Sequence, residues 1–563
     1  MKTNVLYYGD NLDILRRYVP DESVDLVYLD PPFNSNRDYN VIFRDESGRS
    51  SDAQMLAFED TWHWGPSAED TYLYLVDSRR NGGRVPDGVS SLIAALRAGV
   101  GTNQLTAYLV EMTVRLLELR RVLKPTGSLY LHCDPTASAY LKVVLDGIFG
   151  PERFLNEVVW RRTGAHGKTH RFGPIHDTIL VYTKTAHYKW RAPKRPYMRG
   201  HVAEYFVEDE RGWRTDYYGN VLTGSGLRGG ESGQPWRGID PSAKGRHWAI
   251  PGALIEDLGE DVSILSQHQK LDRLLEMGHI KITPGQAWPM YERYLTPGDG
   301  QTVGDIWAFQ PYTNGTVFGT DEGIDEDVRW LSPRDKERLG WQTQKPGGLL
   351  ERIIAASSDE GDVVLDPFCG CGTALVASQR LGRRWLGIDI TYLSIAVMRA
   401  RLRDTFLLDH VPVIGQPTEV EGARQLAQSA DGRYQFQWWA LGLVDARPVG
   451  GVAKKGADQG IDGVVTFTDV GGRIEKVLVS VKSGGVNSSM IRDLKGTLER
   501  EKAAIGLFIT LEEPSEPMRR AGVLQTRLRS ARPSEALSLS TGTMAPCRCD
   551  RSGRDSSRAR PMP

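Results

Sequence analysis

The chain has only five cysteines among 563 residues: Cys133, Cys369, Cys371, Cys547 and Cys549. So few, so irregularly spaced, make no disulfide framework and suit a reducing compartment. Each Cys-x-Cys pair lacks a second pair or a nearby histidine cluster, so no metal site is expected there. No apolar run reaches the roughly 18 residues of a membrane span. The N-terminal MKTNVLYYGDNLDIL has no long apolar core and no cleavage pattern, so no signal peptide is expected and the expected location is cytoplasmic. The net charge is −1, so only local charge could announce a polyanionic partner. What the chain does have is length for about two to four domains. It also has sixty glycines, which imply many tight turns and long loops.

Strands and helices alternate at the start. NVLYYGD reads as a strand ending at Gly9-Asp10, NLDILRRYV as a short helix, and VDLVYLD as a continuous apolar strand of the kind buried on both faces of a parallel sheet. Residues 40 to 100 read as a polar, glycine-rich insertion. LTAYLVEMTVRLLELRRV is a helix stopped by Lys124-Pro125, GSLYLHCD a buried strand, and AYLKVVLDGIFG a helix closed by Gly150. From Trp160 to Gly200 there are ten Lys or Arg and one acid, Asp177, interleaved with histidines and aromatics. HDTILVYTK within it still reads as a strand. Residues 190 to 300 lack periodicity and read as an inserted module. Alternation resumes near residue 341: PGGLLERIIAASS, DVVLDPF, GTALVASQRLG, RRWLGIDI and YLSIAVMRARLRD spell helix, strand, helix, strand, helix. The class is α/β.

Two strand ends carry the chemistry. In DPFCGCGTALV, Gly370 and Gly372 sit in a strand-to-helix turn, where glycine admits close backbone approach and the helix offers free N–H groups. No Gly-Lys-Ser/Thr follows, so this is no phosphate loop. Asp389 ends the next strand, about 20 residues on, where an acid accepts hydrogen bonds from ribose. The plain alternative is a tight turn and a capping acid. In DPPF, the prolines stiffen a loop that presents the Asp30 carboxylate and the Pro31 carbonyl beside the Phe33 ring. Two acceptors and an aromatic face fit a planar amino group, whose hydrogens they draw out of plane so that nitrogen can attack an electrophilic methyl. The plain alternative here is a loop stabilised by proline.

DPPF followed far downstream by DPFCGCGT resembles the amino-group DNA methyltransferases that use S-adenosyl-L-methionine, in the motif order of their beta class. GD at Gly9-Asp10, VLKPTGSLYLHCD, HDTILVYTK and TQKPGGLLERII add to the resemblance. It implies a circularly permuted Rossmann-like methyltransferase sheet with an inserted DNA-recognition region. By resemblance, Asp30, Pro31, Pro32 and Phe33 form the catalytic loop. Asp366, Phe368, Gly370 and Gly372 hold the methionine part of the cofactor, Asp389 the ribose and Asp10 the adenine amine, with Lys345 and Pro346 nearby. The Asp of DPPF leans the target to adenine N6, with cytosine N4 left open. The partner implied is double-stranded DNA. Arg161, Arg162, Lys194 and Arg195 are candidate phosphate contacts, because ten cations on about forty residues suit that backbone. The alternative is a solvated basic face. A homodimer is left open.

Near the end, Asp462 and a strand closing on Lys482 resemble the Asp…(Glu/Gln)-x-Lys core of restriction-endonuclease-like domains, in which acids hold a divalent metal such as Mg2+. Ser480 stands where the second acid belongs, so either Glu475 or another acid replaces it or the domain is a degenerate one. Expected divisions are 1–190 catalytic, 191–330 target recognition, 331–410 cofactor-binding, 430–522 endonuclease-like and 523–563 disordered. After Gly522 the text loses all periodicity, and a truncated or frame-shifted C-terminus is expected. Competing readings are methyl transfer to RNA or to a protein amide, and a DNA-binding protein with a nuclease domain.

Overall fold

A computed structural model describes residues 1–32, 64–163, 172–307, 328–448 and 461–521, less 211, 216–221, 257, 260–263, 286–287, 292–293, 296–298, 329, 333, 340, 342, 409, 429–431 and 469–472. Phe33 and the whole segment from Gly522 lie outside the described residues. The chain divides into two units. One comprises Met1–Arg191, Asp305–Trp307 and Trp330–Pro563, the other Ala192–Gly304 and Ala308–Arg329.

The first unit is built on a mixed sheet. Its described strands are β1 (Val5–Tyr8), β2 (Val24–Leu29), β3 (Leu123–Cys133), β4 (Phe154–Arg161), β5 (His176–Thr183), β6 (Ile306–Trp307), β7 (Val363–Asp366), β8 (Arg384–Asp389) and β9 (Val413–Ile414). They lie in the order β6-β4-β5-β3-β2-β7-β8-β1-β9. Pairing is parallel except where β5 meets β3 and β4. Its helices include α1 (Asn11–Tyr18), α2 (Pro66–Val76), α3 (Asp87–Val100), α4 (Gln104–Val122), α5 (Ser138–Phe149), α6 (Gly347–Ser357), α7 (Thr373–Arg380) and α8 (Tyr392–Phe406). Helix α4 ends at Val122 because Pro125 bars helical geometry at the residue before it, and β3 then starts at once.

All six residues of β2 are buried, including Asp25, which pairs with Lys124 and Lys189. Burying each of its aliphatic side chains contributes roughly 1.5–3 kcal/mol. Strand alternation sorts the two faces. Val5 and Tyr7 pack with Leu15 and Leu109, whereas Leu6 packs with Leu375, Trp385 and Met398. The expected polar insertion over 40–100 is corrected for residues 64–100. There α2 and α3 fold, and Leu75, Val89 and Ile93 enter the main core. Their apolar residues recur at helical spacing, a signal diluted by the polar and glycine-rich text around it.

The C-terminal part of this unit has a four-stranded sheet of β10 (Arg447–Pro448), β11 (Gly463–Thr468), β12 (Ile474–Lys482) and β13 (Ile505–Thr510), in that order. Strands β12 and β13 are parallel, joined through α10 (Ser488–Glu501), while the other pairs are antiparallel. Helix α9 (Gly432–Leu443) precedes this sheet. Its Phe436, Trp438 and Trp439 share a core with Trp341, Cys371, Tyr392 and Leu393. The second unit has short antiparallel pairs, such as Thr223–Ser225 with Arg246–Trp248, around a core of Leu222, Trp236, Trp248, Leu271 and Trp288. Trp248 packs edge-on against both Trp236 and Trp288.

Candidate active site

Strands β2 and β7 are parallel neighbours, with Leu26 opposite Val364 and Val27 opposite Leu365. Residues far apart in sequence therefore leave the same edge of the sheet side by side. That edge, at the carboxyl ends of the strands, is where open α/β sheets bind ligands. Asp30, Pro31 and Pro32 follow β2, and Asp366 closes β7.

Asp366 is 3% exposed, and its Oδ1 accepts from the Phe368 N–H at 3.0 Å. Burial pushes its carboxyl up to about 8. The negative charges of Asp30 and Asp389 add to that rise, while the Phe368 bond and the Lys345 cation oppose it. Asp30 Oδ2 is ion-paired with Lys345 Nζ, both side chains being largely buried. Asp389 clamps the glycine turn: its Oδ2 accepts from Gly370 N–H at 2.9 Å and its Oδ1 from the Thr391 N–H at 2.9 Å. Burial raises this carboxyl too, and those hydrogen bonds work against it.

Gly370 and Gly372 have φ of +51° and +77°, a region in which a side chain is strained. A Cβ on Gly372 would lie 2.7 Å from Met398 Cγ of α8, and one on Gly370 would lie 3.3 Å from the Trp341 indole nitrogen. Close packing of the turn against α8 and Trp341 thus demands these glycines, independently of any ligand. Gly372→Val is expected to destabilise the protein by at least about 1–3 kcal/mol, through overpacking and backbone strain together. Chemical denaturation would measure it, and an unchanged midpoint would refute the packing role.

Asp10 caps α1, accepting from the Leu12 and Asp13 N–H groups, and its Oδ2 pairs with Arg115 at 2.8 Å. Arg115 Nε also donates to Asn11 Oδ1, and Asn11 Nδ2 donates to the Pro367 carbonyl. Arg115 and Asn11 thereby tie α4 and α1 to the Asp366 turn. Sequence reasoning missed both, since neither an arginine within a helix nor an asparagine at a helix start announces a partner about a hundred residues or more away. It also missed a buried chain beneath the loop, in which Tyr28 Oη lies 3.0 Å from His132 Nδ1 and His132 Nε2 lies 3.1 Å from Asp177. Burial raises the Asp177 carboxyl, but the His132 bond and the Lys345 and Arg162 cations outweigh it and hold the group below its ordinary value.

The basic segment is less free than its text. Arg162 sits 3.1 Å from Asp177, Lys184 pairs with Glu22, Lys189 with Asp362 and Arg191 with Asp359. Arg161 lies over the Trp330 ring. In the second unit, Lys194 is exposed and Arg195 donates to Gln301.

In the C-terminal part, Lys482 Nζ comes within 3.9 Å of Asp462. Asp462 is otherwise engaged, accepting from Val481 N–H, Ser480 Oγ and Gln437 Nε2. Glu475 faces Phe467 near the far end of β12 and cannot stand in for the missing acid. Among the described residues no group of three His, Cys, Asp or Glu is placed to hold a metal ion, so the expectation of Mg2+ finds no support here.

The family model described as DNA methylase matches residues 24–397, and the chain belongs to this family of N6/N4 methylases. Residues 449–526 match the model of a NACHT-associated inactive restriction endonuclease. The type II methyltransferase M.EcaI of Enterobacter cloacae is 31% identical over 287 residues, which is 50% of this chain and 54% of that protein. The Mod subunit of the StyLTI type III restriction-modification enzyme of Salmonella typhimurium is 26% identical over 390 residues, 67% of this chain and 50% of that protein. The chain thus spans about half the length of these curated relatives. A DNA modification methylase of Thermus thermophilus, solved with S-adenosyl-L-methionine, aligns at a TM-score of 0.32 and 16% identity, over 74% of this chain and 99% of that one.

Proposed function

We propose that the chain methylates the exocyclic amine of a base flipped out of duplex DNA, adenine N6 in particular, with S-adenosyl-L-methionine as donor, in a restriction-modification system. The observation that carries this reading is the adjacency of Asp30 and Asp366 at the carboxyl ends of β2 and β7. Family membership supports it, and the Asp of DPPF favours adenine.

The donor set fits the cofactor. Asp366 is a buried carboxyl with only the Phe368 N–H as a hydrogen-bond partner among the described residues, and such a group favours a cationic ligand. When bound, the cofactor supplies an electrophilic methyl on a sulfonium. Asp366, with Phe368 and the glycine turn, is assigned to its cationic methionine end, Asp389 to ribose hydroxyls and Asp10 to the adenine amine. Asp30 and the Pro31 carbonyl accept the two hydrogens of the target amine, which frees its lone pair from the ring. The charge of Asp30 then stabilises the positive charge developing on nitrogen. Phe33 is assigned to stack on the flipped base, as enzymes acting on extruded bases require. Exposed Lys194, with Arg161, Arg162 and Arg195, is assigned to DNA phosphates. The endonuclease-like part is assigned a structural or DNA-binding role, since its candidate metal-binding acid, Asp462, is held by protein donors. Cytoplasmic location is part of this reading. The test is to incubate the protein with duplex DNA and methyl-labelled cofactor and digest to nucleosides. Label in N6-methyladenosine is expected. Label only in N4-methylcytidine would overturn the base assignment, and no label in either would overturn the reading.

A further inference from the structure

The ammonium of Lys345 meets the catalytic loop rather than standing clear of it. Its Nζ is ion-paired with Asp30 Oδ2, and the two side chains are 13% and 18% exposed. Among the described residues, Oδ1 of Asp30 has no hydrogen-bond partner. The platform under Lys345 is fixed. Gln344 Nε2 donates to the Glu337 carbonyl, Leu339 N–H donates to Gln344 Oε1, and Glu337 Oε1 accepts from Gly347 N–H at 2.8 Å. Arg401 reaches Glu337 at 3.5 Å and also donates to Thr373 Oγ1 and the Cys371 carbonyl, tying this platform to the glycine turn. Pro346 follows Lys345 and caps α6 with φ −67° and ψ 144°, and its ring disfavours helical geometry at Lys345. Three acids surround the ammonium: Asp30 in contact, with Asp366 and Asp177 within electrostatic range.

We infer that Lys345 is a positioning residue for the catalytic aspartate: it anchors one oxygen of Asp30 and leaves the other to accept a hydrogen of the target amine. This rests on the methyltransferase reading above. It goes beyond the resemblance, which places Lys345 near the cofactor. A carboxylate on a short stem rotates freely about its last bond, so an anchored oxygen fixes where the second one points. Misplacement of a reacting group by about 1 Å costs on the order of 10²-fold in rate. The lysine also brings a positive charge within electrostatic range of Asp177 and Asp366 while it contacts Asp30.

The test compares wild type, Lys345→Met and Lys345→Arg in full-length protein, with cofactor affinity from calorimetry and kcat from methyl transfer to duplex DNA. Lys345→Met is expected to lower kcat by on the order of 10²-fold, with cofactor Kd little changed. That retained binding shows the variant to be folded. Lys345→Arg, which restores the cation but not its reach, is expected to recover part of kcat. A weakened cofactor Kd at unchanged kcat would make Lys345 a cofactor contact and overturn the inference. Equal kcat in wild type and Lys345→Met would overturn it as well, leaving the methyltransferase reading intact. Wild-type protein that transfers no methyl group overturns that reading and this assignment with it.

Discussion

Asp30→Asn is expected to lower methyl transfer to duplex DNA by about 10²–10³-fold, the loss typical when one group aimed at developing charge is removed. The amide keeps the volume of the carboxylate beside buried Pro31, so the loop is expected to hold its place. What goes is the charge. An amide donates on one side, so it can repel one N–H of the target amine, and it leaves Lys345 without its ion-pair partner. Cofactor affinity is expected to hold or to improve at neutral pH. The Asp30 charge is one cause of the raised Asp366 carboxyl, and removing it eases ionisation of the group assigned to the cationic cofactor. Calorimetry and a labelled-methyl assay on the same preparation separate the two effects. Full activity would remove Asp30 from the chemistry, and loss of cofactor binding would place it in the wrong subsite.

The pairing of the two strand ends was legible because each has a local signature. An apolar run buried on both faces, an acid and then proline or glycine can be read within ten residues, and β2 and β7 follow it. Helices α2 and α3 were less legible because their apolar residues, though regularly spaced, stand beside glycines and charges in polar text. The partners of the site residues could not be read at all. Lys345 with Asp30, Asn11 with the Pro367 carbonyl and Arg115 with Asp10 join positions hundreds of residues apart or on different elements. No periodicity records such a contact. The same holds for charge. Ten cations between Trp160 and Gly200 look like a free basic face, yet several answer acids at Glu22, Asp359 and Asp362. Text that separates 331–410 from 430–522 likewise hides the shared core of Trp341, Tyr392 and Trp439. Tyr392 stacks on Tyr8 with ring centroids 3.7 Å apart, and its N–H donates to Gln435. The glycine turn therefore leans on the C-terminal part through its neighbours.

Asp366→Asn is expected to abolish cofactor binding and yet to raise the melting temperature at neutral pH. Burial lifts the wild-type carboxyl to about 8, with Asp30 and Asp389 adding to the rise, whereas in the unfolded chain an aspartate titrates near about 4. Between those values the folded state holds a proton that the unfolded state has released. Stability from this group is therefore greatest below about 4 and is lost progressively as pH rises toward about 8. Asparagine fills the same space and can still accept from the Phe368 N–H, but it has no charge to desolvate. The variant should match wild type at acid pH and melt above it at pH 8, by about 2 °C or more for each kcal/mol recovered. Function runs the other way. A cationic ligand favours the ionised carboxyl, so wild-type affinity should climb as pH rises toward about 8 and then level, with proton release visible in calorimetry in buffers of different ionisation enthalpy. Scanning calorimetry at acid pH and at pH 8, with cofactor titrations across the same range, decides the matter. A variant that binds cofactor normally, or whose melting point falls at pH 8, would show that the buried acid serves the fold rather than the ligand.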